Sequence, residues 1–380
     1  MSIIGQNIKY DLRWCWTRNI KAQAIFDALV ASYLLDENRA HDLENLAIGY
    51  LGVKPWKIQH KFGLHPLSTL IPYCGKDANY TLQLYPILRK ELLKDKGLSR
   101  VFAYLMMPIT NLLTEIEMVG MPVDRARLAE RTAIKEKESE AGLKKLTQLA
   151  GEDINWRSYQ QVGRILYDKL KLPVLELTEK GGRSVNESVL LRLENRHPIV
   201  GALLDYRAVV DAKSKFLMPW EFWSRQDGKV HTNFKQFRTT TGRLSSSDPN
   251  LQQIPRDEFY RTIFGGLDGY YVVAADFSQI EMRIAAHESG DVNLKRAFLS
   301  GDDVHMNMAI KVIGKPKELI TKEERKRAKS INFGYLFSMG WQTYIEYARD
   351  KYQIKVSEAE AKVSRRDFFA MWPMLLDWHK

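Results

Sequence analysis

The pattern of apolar and polar positions reads as mixed α/β over residues 1–95, as helical from Ser99 to about Leu149 and in pieces through 153–215, and as dominated by helices from Asp276 to the end. A short apolar stretch at Ile3–Ile4 predicts a strand, followed by helices from about Phe26 to Leu35 and from about Thr69 to Leu88. A loop rich in Lys, Pro and His, from about Val53 to Pro66, separates those helices. Val101, Leu105, Ile109, Leu112, Leu113 and Ile116 keep helical spacing until Gly120-Met121-Pro122 interrupts it, and the charged stretch Arg125 to Lys145 predicts a long exposed helix or helix pair. Helical pieces continue through residues 153–215, punctuated by Lys171-Leu172-Pro173 and Lys180-Gly181-Gly182, with no repeat of fixed period. Gln226-Asp227-Gly228-Lys229 reads as a hairpin turn. A polar segment, His231 to Pro255, leads to the β-branched run Tyr270-Tyr271-Val272-Val273-Ala274-Ala275, read as a strand, and helices follow from Asp276 onward.

A chain of 380 residues holds about two or three domains. With 45% hydrophobic and 27% charged residues it matches a soluble globular protein, and disordered, collagen-like or low-complexity architectures are excluded. No apolar run approaches the roughly 18 residues that cross a bilayer, so no membrane partner is expected. Two cysteines, Cys15 and Cys74, cannot build a disulfide framework or by themselves a zinc site, which points to a reducing compartment, the cytoplasm. Lys and Arg number 57 against 46 Asp and Glu, a net charge of +11, which favours a polyanionic partner such as nucleic acid without requiring one.

Three segments carry chemistry. In Val272-Val273-Ala274-Ala275-Asp276-Phe277-Ser278-Gln279-Ile280-Glu281-Met282-Arg283 a strand pattern delivers Asp276 at its end. Such a carboxylate suits Mg²⁺, which takes one or two carboxylates and fills its shell with substrate phosphates. The same residues have a plainer reading, since Ser278 and Glu281 have the spacing of a capping box. In Glu324 to Tyr335, Arg325, Lys329 and Phe333 stand four residues apart and share a helical face, two cations and a flat ring for a nucleotide, or a solvated basic face with Phe333 in the core. Arg238 to Pro255, dense in hydroxyls and amides, could line a nucleic-acid groove or form an ordinary turn-rich loop.

Taken in this order, the three segments resemble those of a family A DNA polymerase, the bacterial and phage DNA polymerase I type. The resemblance implies an α/β (α+β multi-domain) chain: a partial ribonuclease H-like 3′-5′ exonuclease domain at 1–95, a helical thumb and connecting helices at 96–225, the first half of the palm at 226–290 and helical fingers at 291–380. It further implies that Asp276, with the Phe277 carbonyl, binds catalytic metal, that Arg325 and Lys329 hold the incoming triphosphate, and that Phe333 packs on its sugar and base. Glu281 would be the steric gate against a ribose 2′-hydroxyl, with Gln279, His305 and Phe337 also at the nucleotide. Phe337 stands where the family usually has tyrosine, keeping the ring and losing the hydroxyl. Thr241, Arg243, Asn250 and Gln253 would contact primer-template DNA. Asn7-Ile8-Lys9-Tyr10-Asp11 and Tyr73-Cys74-Gly75-Lys76-Asp77 resemble two exonuclease motifs, implying metal at Asp11 and Asp77 and a water-positioning phenol at Tyr73.

The implied activity is template-directed dNTP addition by two-metal phosphoryl transfer, with two Mg²⁺ in a complete site. The family's His-Asp-Glu hairpin, which brings the second palm carboxylate, would lie beyond Lys380, and the Asp-x-Glu exonuclease motif would precede Met1. The expectation is therefore a fragment or split subunit, with primer-template DNA, dNTPs and a second polypeptide carrying the C-terminal palm as partners. A catalytically silent DNA-binding relic is the alternative, and a 3′-5′ exonuclease a weaker one.

Overall fold

The computed structural model describes residues 1–57, 65–265, 269 and 271–380, so part of the expected 53–66 loop and Tyr270 lie outside the described residues. The chain divides into two units, Met1–Val272 and Val273–Lys380. Both are mostly helical, and the described strands form three two-stranded sheets, all in the first unit.

At the start of the first unit, the strand Ser2–Gly5 pairs in parallel with Gln23–Asp27, and the helix Lys9–Trp16 connects them. Phe26, expected to open a helix, lies inside this second strand instead, and the helix is Ala28–Leu35. Asp27 ends the strand and caps that helix: its buried carboxylate accepts from the N–H groups of Asn7 (2.9 Å), Ile8 (3.0 Å) and Leu29 (2.9 Å). Ile8, Leu12, Phe26, Leu84, Leu88 and Met107 build the core here.

The interruption at Gly120 is real and has a steric cause. Gly120 has φ +68°, and a Cβ there would come within 2.6 Å of the His231 ring, so the turn between the helices Met107–Val119 and Arg125–Ala150 admits only glycine. After it, Met121–Pro122 pairs antiparallel with Lys229–Val230. This corrects the hairpin expected at Gln226–Lys229: the strand after the turn pairs with residues more than a hundred positions earlier, and the helix Met218–Trp223 lies before it. The long helix Arg125–Ala150 packs along Pro198–Ala212, burying Leu146 with Trp156, Ile165 and Leu203.

A buried ion pair ties three distant stretches of this unit together. Lys9 pairs with Glu117 and donates to the Phe234 carbonyl, while Phe234 N–H donates to Glu117 Oε1 at 2.7 Å. Burial holds the Lys9 ammonium below its usual pKa despite the neighbouring Glu117 carboxylate.

The second unit has its own core of Met282, Leu294, Met308, Ile331, Tyr335, Tyr344, Phe368 and Leu375. Its central helix, Lys322–Leu336, packs on Val304–Ile313, Trp341–Tyr352 and Glu358–Met371. Gly334 permits that closeness, since a Cβ there would lie 2.8 Å from the Tyr344 ring.

The strand expected at Tyr270–Ala275 is absent among the described residues. Residues 271–277 carry no regular structure, and Tyr271, Val273 and Phe277 are 94%, 88% and 79% exposed. A strand exists only against a partner, and no described strand lies beside this run.

Candidate nucleotide-binding site

The helix Lys322–Leu336 starts with a full capping box: Glu324 N–H donates to Thr321 Oγ1 (3.2 Å), and Thr321 N–H donates to the Glu324 carboxylate (2.8 Å). With its start fixed, Ala328, Ile331, Tyr335 and Leu336 go into the core, and Arg325, Lys329 and Phe333 lie half-buried on another face. The spacing read from the sequence is therefore realised as one surface. Lys329 Nζ lies 5.7 Å from the Phe333 ring centre, and His305 stacks near the same ring with centroids 5.6 Å apart.

His305 and Asp303 come from the start of the neighbouring helix Val304–Ile313. Arg325 binds Asp303 Oδ2 through Nε and Nη2, both at 2.7 Å. Burial alone would raise the Asp303 pKa, but the guanidinium and the N–H groups of Met306 and His305 hold it below the usual carboxylate range. His305 is buried, which pushes its imidazole down to about 4 against the pull of Asp303. It is neutral at physiological pH. A neutral imidazole, two cations and a ring on adjacent helices can take an anionic, flat-ringed ligand. Phe337 caps the C-terminal end of the helix, four residues after Phe333, and is exposed.

Asp276 is exposed in the irregular stretch before the helix Ile280–Ser289, as are Phe277 and Ser278. The capping box read at Ser278 and Glu281 does not form: Gln279 is the cap residue, in a left-handed conformation (φ 54°), with no side-chain cap bond. Asp276 and Ser278 are thus not consumed in starting a helix. An exposed carboxylate and the adjacent Phe277 carbonyl are hard oxygen donors that fit Mg²⁺ once triphosphate oxygens complete its shell.

In the first unit, the polar segment forms a hairpin, Asn233–Lys235 against Ser245–Ser247. Thr241, Arg243 and Gln253 are exposed there. Asn250 Oδ1 accepts from Ser246 Oγ (2.9 Å) and Gln252 N–H (3.0 Å), so that oxygen shapes the loop. Tyr33 ties the loop to the chain's start through its hydroxyl on the Thr239 carbonyl (2.6 Å).

Tyr73 and Asp77 face each other on the helix Leu67–Leu93, where burial first and the Asp77 carboxylate second push the Tyr73 phenol up. Asp77 Oδ1 accepts from the Trp56 indole N–H at 2.8 Å, and Asp11 is exposed on the helix Lys9–Trp16. Among the described residues no three His, Cys, Asp or Glu side chains gather as metal ligands. The expectation of metal at Asp11 and Asp77 rests on the family resemblance, and Asp77 Oδ1 is already engaged by Trp56.

Comparison with known proteins decides the family. The model for DNA polymerase family A matches residues 125–380. The chain belongs to DNA polymerase family A. A 3′-5′ exonuclease model matches residues 1–93. Among relatives, DNA polymerase I of Pseudomonas aeruginosa is 35% identical over 98% of this chain and 42% of that protein. DNA polymerase I of Aquifex aeolicus is 33% identical over 99% of the chain and 67% of that protein. The POL domain of Pol1 from M. smegmatis, solved in complex with DNA primer-template and dNTP, has a TM-score of 0.83 at 28% identity, covering 99% of this chain and 64% of that one. The chain thus spans under half of the Pseudomonas relative and about two thirds of the Aquifex one. The family read from the three motifs is the family found.

One residue escaped the reading of the sequence. Asn332, fully buried seven positions after Arg325, bonds His305. A polar amide among apolar core positions at that spacing is the signal that marks it. No described helix is long and apolar enough to cross a membrane.

Proposed function

We propose that this chain is the nucleotide- and DNA-holding part of a DNA-directed DNA polymerase of the DNA polymerase I type. The observation that carries the reading is the single surface formed by Arg325, Lys329, Phe333 and His305. Arg325 and Lys329 bind the triphosphate of an incoming dNTP, His305 donates to a phosphate oxygen, and Phe333 packs on the sugar and base. Because Arg325 already pairs with Asp303, a triphosphate must share or displace that carboxylate, so the pair keeps the guanidinium placed until the nucleotide arrives. Gln279, Glu281 and Phe337 border the nucleotide, Glu281 excluding a ribose 2′-hydroxyl. Thr241, Arg243, Asn250 and Gln253 contact primer-template. Asp276 and the Phe277 carbonyl would hold Mg²⁺, and the two ions of a complete site would supply, one, a lowered pKa at the primer 3′-hydroxyl and, the other, neutralisation of the leaving pyrophosphate.

The test is primer extension with all four dNTPs and Mg²⁺ beside an Asp276→Ala control, together with Mg²⁺·dATP binding by Arg325→Ala and Lys329→Ala. Extension lost in the control supports the full reading. Nucleotide binding that needs both cations, without extension, supports the alternative of a binding role alone. Nucleotide affinity indifferent to both cations would remove the assignment.

A further inference from the structure

We infer that Asn332 is a positioning residue that holds His305 as its neutral Nε2–H tautomer, leaving that N–H as a fixed donor for a phosphate oxygen of a nucleoside triphosphate. The ligand half of this inference rests on the nucleotide reading above; the tautomer half does not.

The geometry leaves one assignment. Asn332 Nδ2 lies 3.1 Å from the Val304 carbonyl oxygen and 2.9 Å from His305 Nδ1. A backbone carbonyl only accepts, so the amide nitrogen, not the oxygen, faces it. The amide has two hydrogens: one goes to Val304 and the other to the imidazole. His305 Nδ1 is therefore an acceptor and carries no proton, which places the ring's one proton on Nε2.

The arrangement carries a cost on its other side, since Asn332 Oδ1 is buried with no partner. Turning the amide over would set Oδ1 against the Val304 carbonyl oxygen, a repulsion that no protonation state of His305 relieves, so the Val304 contact fixes the direction of the amide. Protonating His305 at Nδ1 would break its bond to Asn332.

Nε2 has no partner within the protein among the described residues. The charged groups acting on the ring are Asp303 on its own helix and Arg325 and Lys329 from the neighbouring one. Asp303 is already held by Arg325, so the Nε2–H remains available beside two cations, the setting for an added phosphate oxygen. Asn332 sits seven residues after Arg325 and three after Lys329, so one helix both supplies the cations and orients the neutral donor.

The experiment uses the full chain labelled with ¹⁵N-histidine, with the His305 signals assigned by their loss in His305→Gln. In the unmutated chain, long-range ¹H–¹⁵N spectra are expected to show Nδ1 as the unprotonated nitrogen. Asn332→Leu removes the donor and shifts the ring toward a tautomer mixture. Asn332→Asp, which replaces the donor by an acceptor, moves the proton to Nδ1. Titration with Mg²⁺·dATP is expected to give about 10-fold weaker binding in Asn332→Leu, from a misdirected bond to a charged phosphate. A protonated Nδ1 in the unmutated chain overturns the assignment without any variant having to fold. So does an unchanged tautomer in a folded Asn332→Leu. Unweakened binding in Asn332→Leu, where His305→Ala binds poorly, overturns the positioning role. Unweakened binding in His305→Ala overturns the nucleotide reading of His305 instead, and the nitrogen shifts still judge Asn332 separately.

Discussion

The helix Lys322–Leu336 and the stretch Tyr271–Ser278 carry the segments proposed above to hold nucleotide and metal, and they are built in opposite ways. The helix closes its own backbone hydrogen bonds, begins with a capping box and buries one face in a core of its own unit. Its cations and ring fall into line because of where they stand in the sequence. The Asp276 stretch has equally suggestive spelling, yet its β-branched residues are exposed and its capping pattern makes no cap. A strand gets its hydrogen bonds from a neighbour that may be far away in sequence, so its residues cannot fix their own position. The nucleotide face is thus organised locally, whereas the carboxylate depends on what pairs with the segment carrying it.

That contrast can be broken from both sides. If the helix face stands on a packed core and the Asp276 stretch does not, Phe368→Ala should destabilise the second unit by about 3–5 kcal/mol in denaturant melts, while Val273→Ser should change stability by less than about 0.5 kcal/mol. Comparable losses at the two positions would show that the stretch is packed after all. The next largest effect is a pH dependence. His305 titrates near 6.5 when unfolded and about 4 when folded, so between those values the unfolded chain binds more protons. Stability should therefore fall by about 2–3 kcal/mol as pH drops from about 6.5 to about 4, with no contribution to the slope above that window. His305→Gln should flatten that slope, measured as the difference in denaturant midpoints at pH 4.5 and pH 7.5; an identical slope in the variant would place the titration elsewhere. The smallest effect is the sharpest comparison of the two patterns. Thr321→Ala should cost about 1 kcal/mol by removing a cap that forms, and Ser278→Ala about nothing by removing one that does not. Equal costs would mean that spacing alone, not geometry, governs both starts.

Much of this was legible in the sequence because helices repeat their geometry every few residues. Arg325, Lys329 and Phe333, the break at Gly120 and the long helix after Asp124 could be read from spacing. So could the family, since its three segments keep their order along the chain. The misreadings share a cause. Phe26 was assigned to a helix because an apolar run looks the same in a short buried strand. Gln226–Lys229 has a turn's composition, but its strand pairs with Met121–Pro122.

The sequence by itself determined the helices, the shared face of Arg325, Lys329 and Phe333, and membership of the family, because each rests on residues near one another in the chain or on their order. Only the tertiary structure decided that Asn332 reaches His305 from the next helix, that Asp303 holds Arg325, that Lys9 pairs with Glu117, and that Asp276 lies on no sheet. Those are contacts between segments whose separation in sequence carries no geometric information; burial sets their value, and burial is a property of the folded chain.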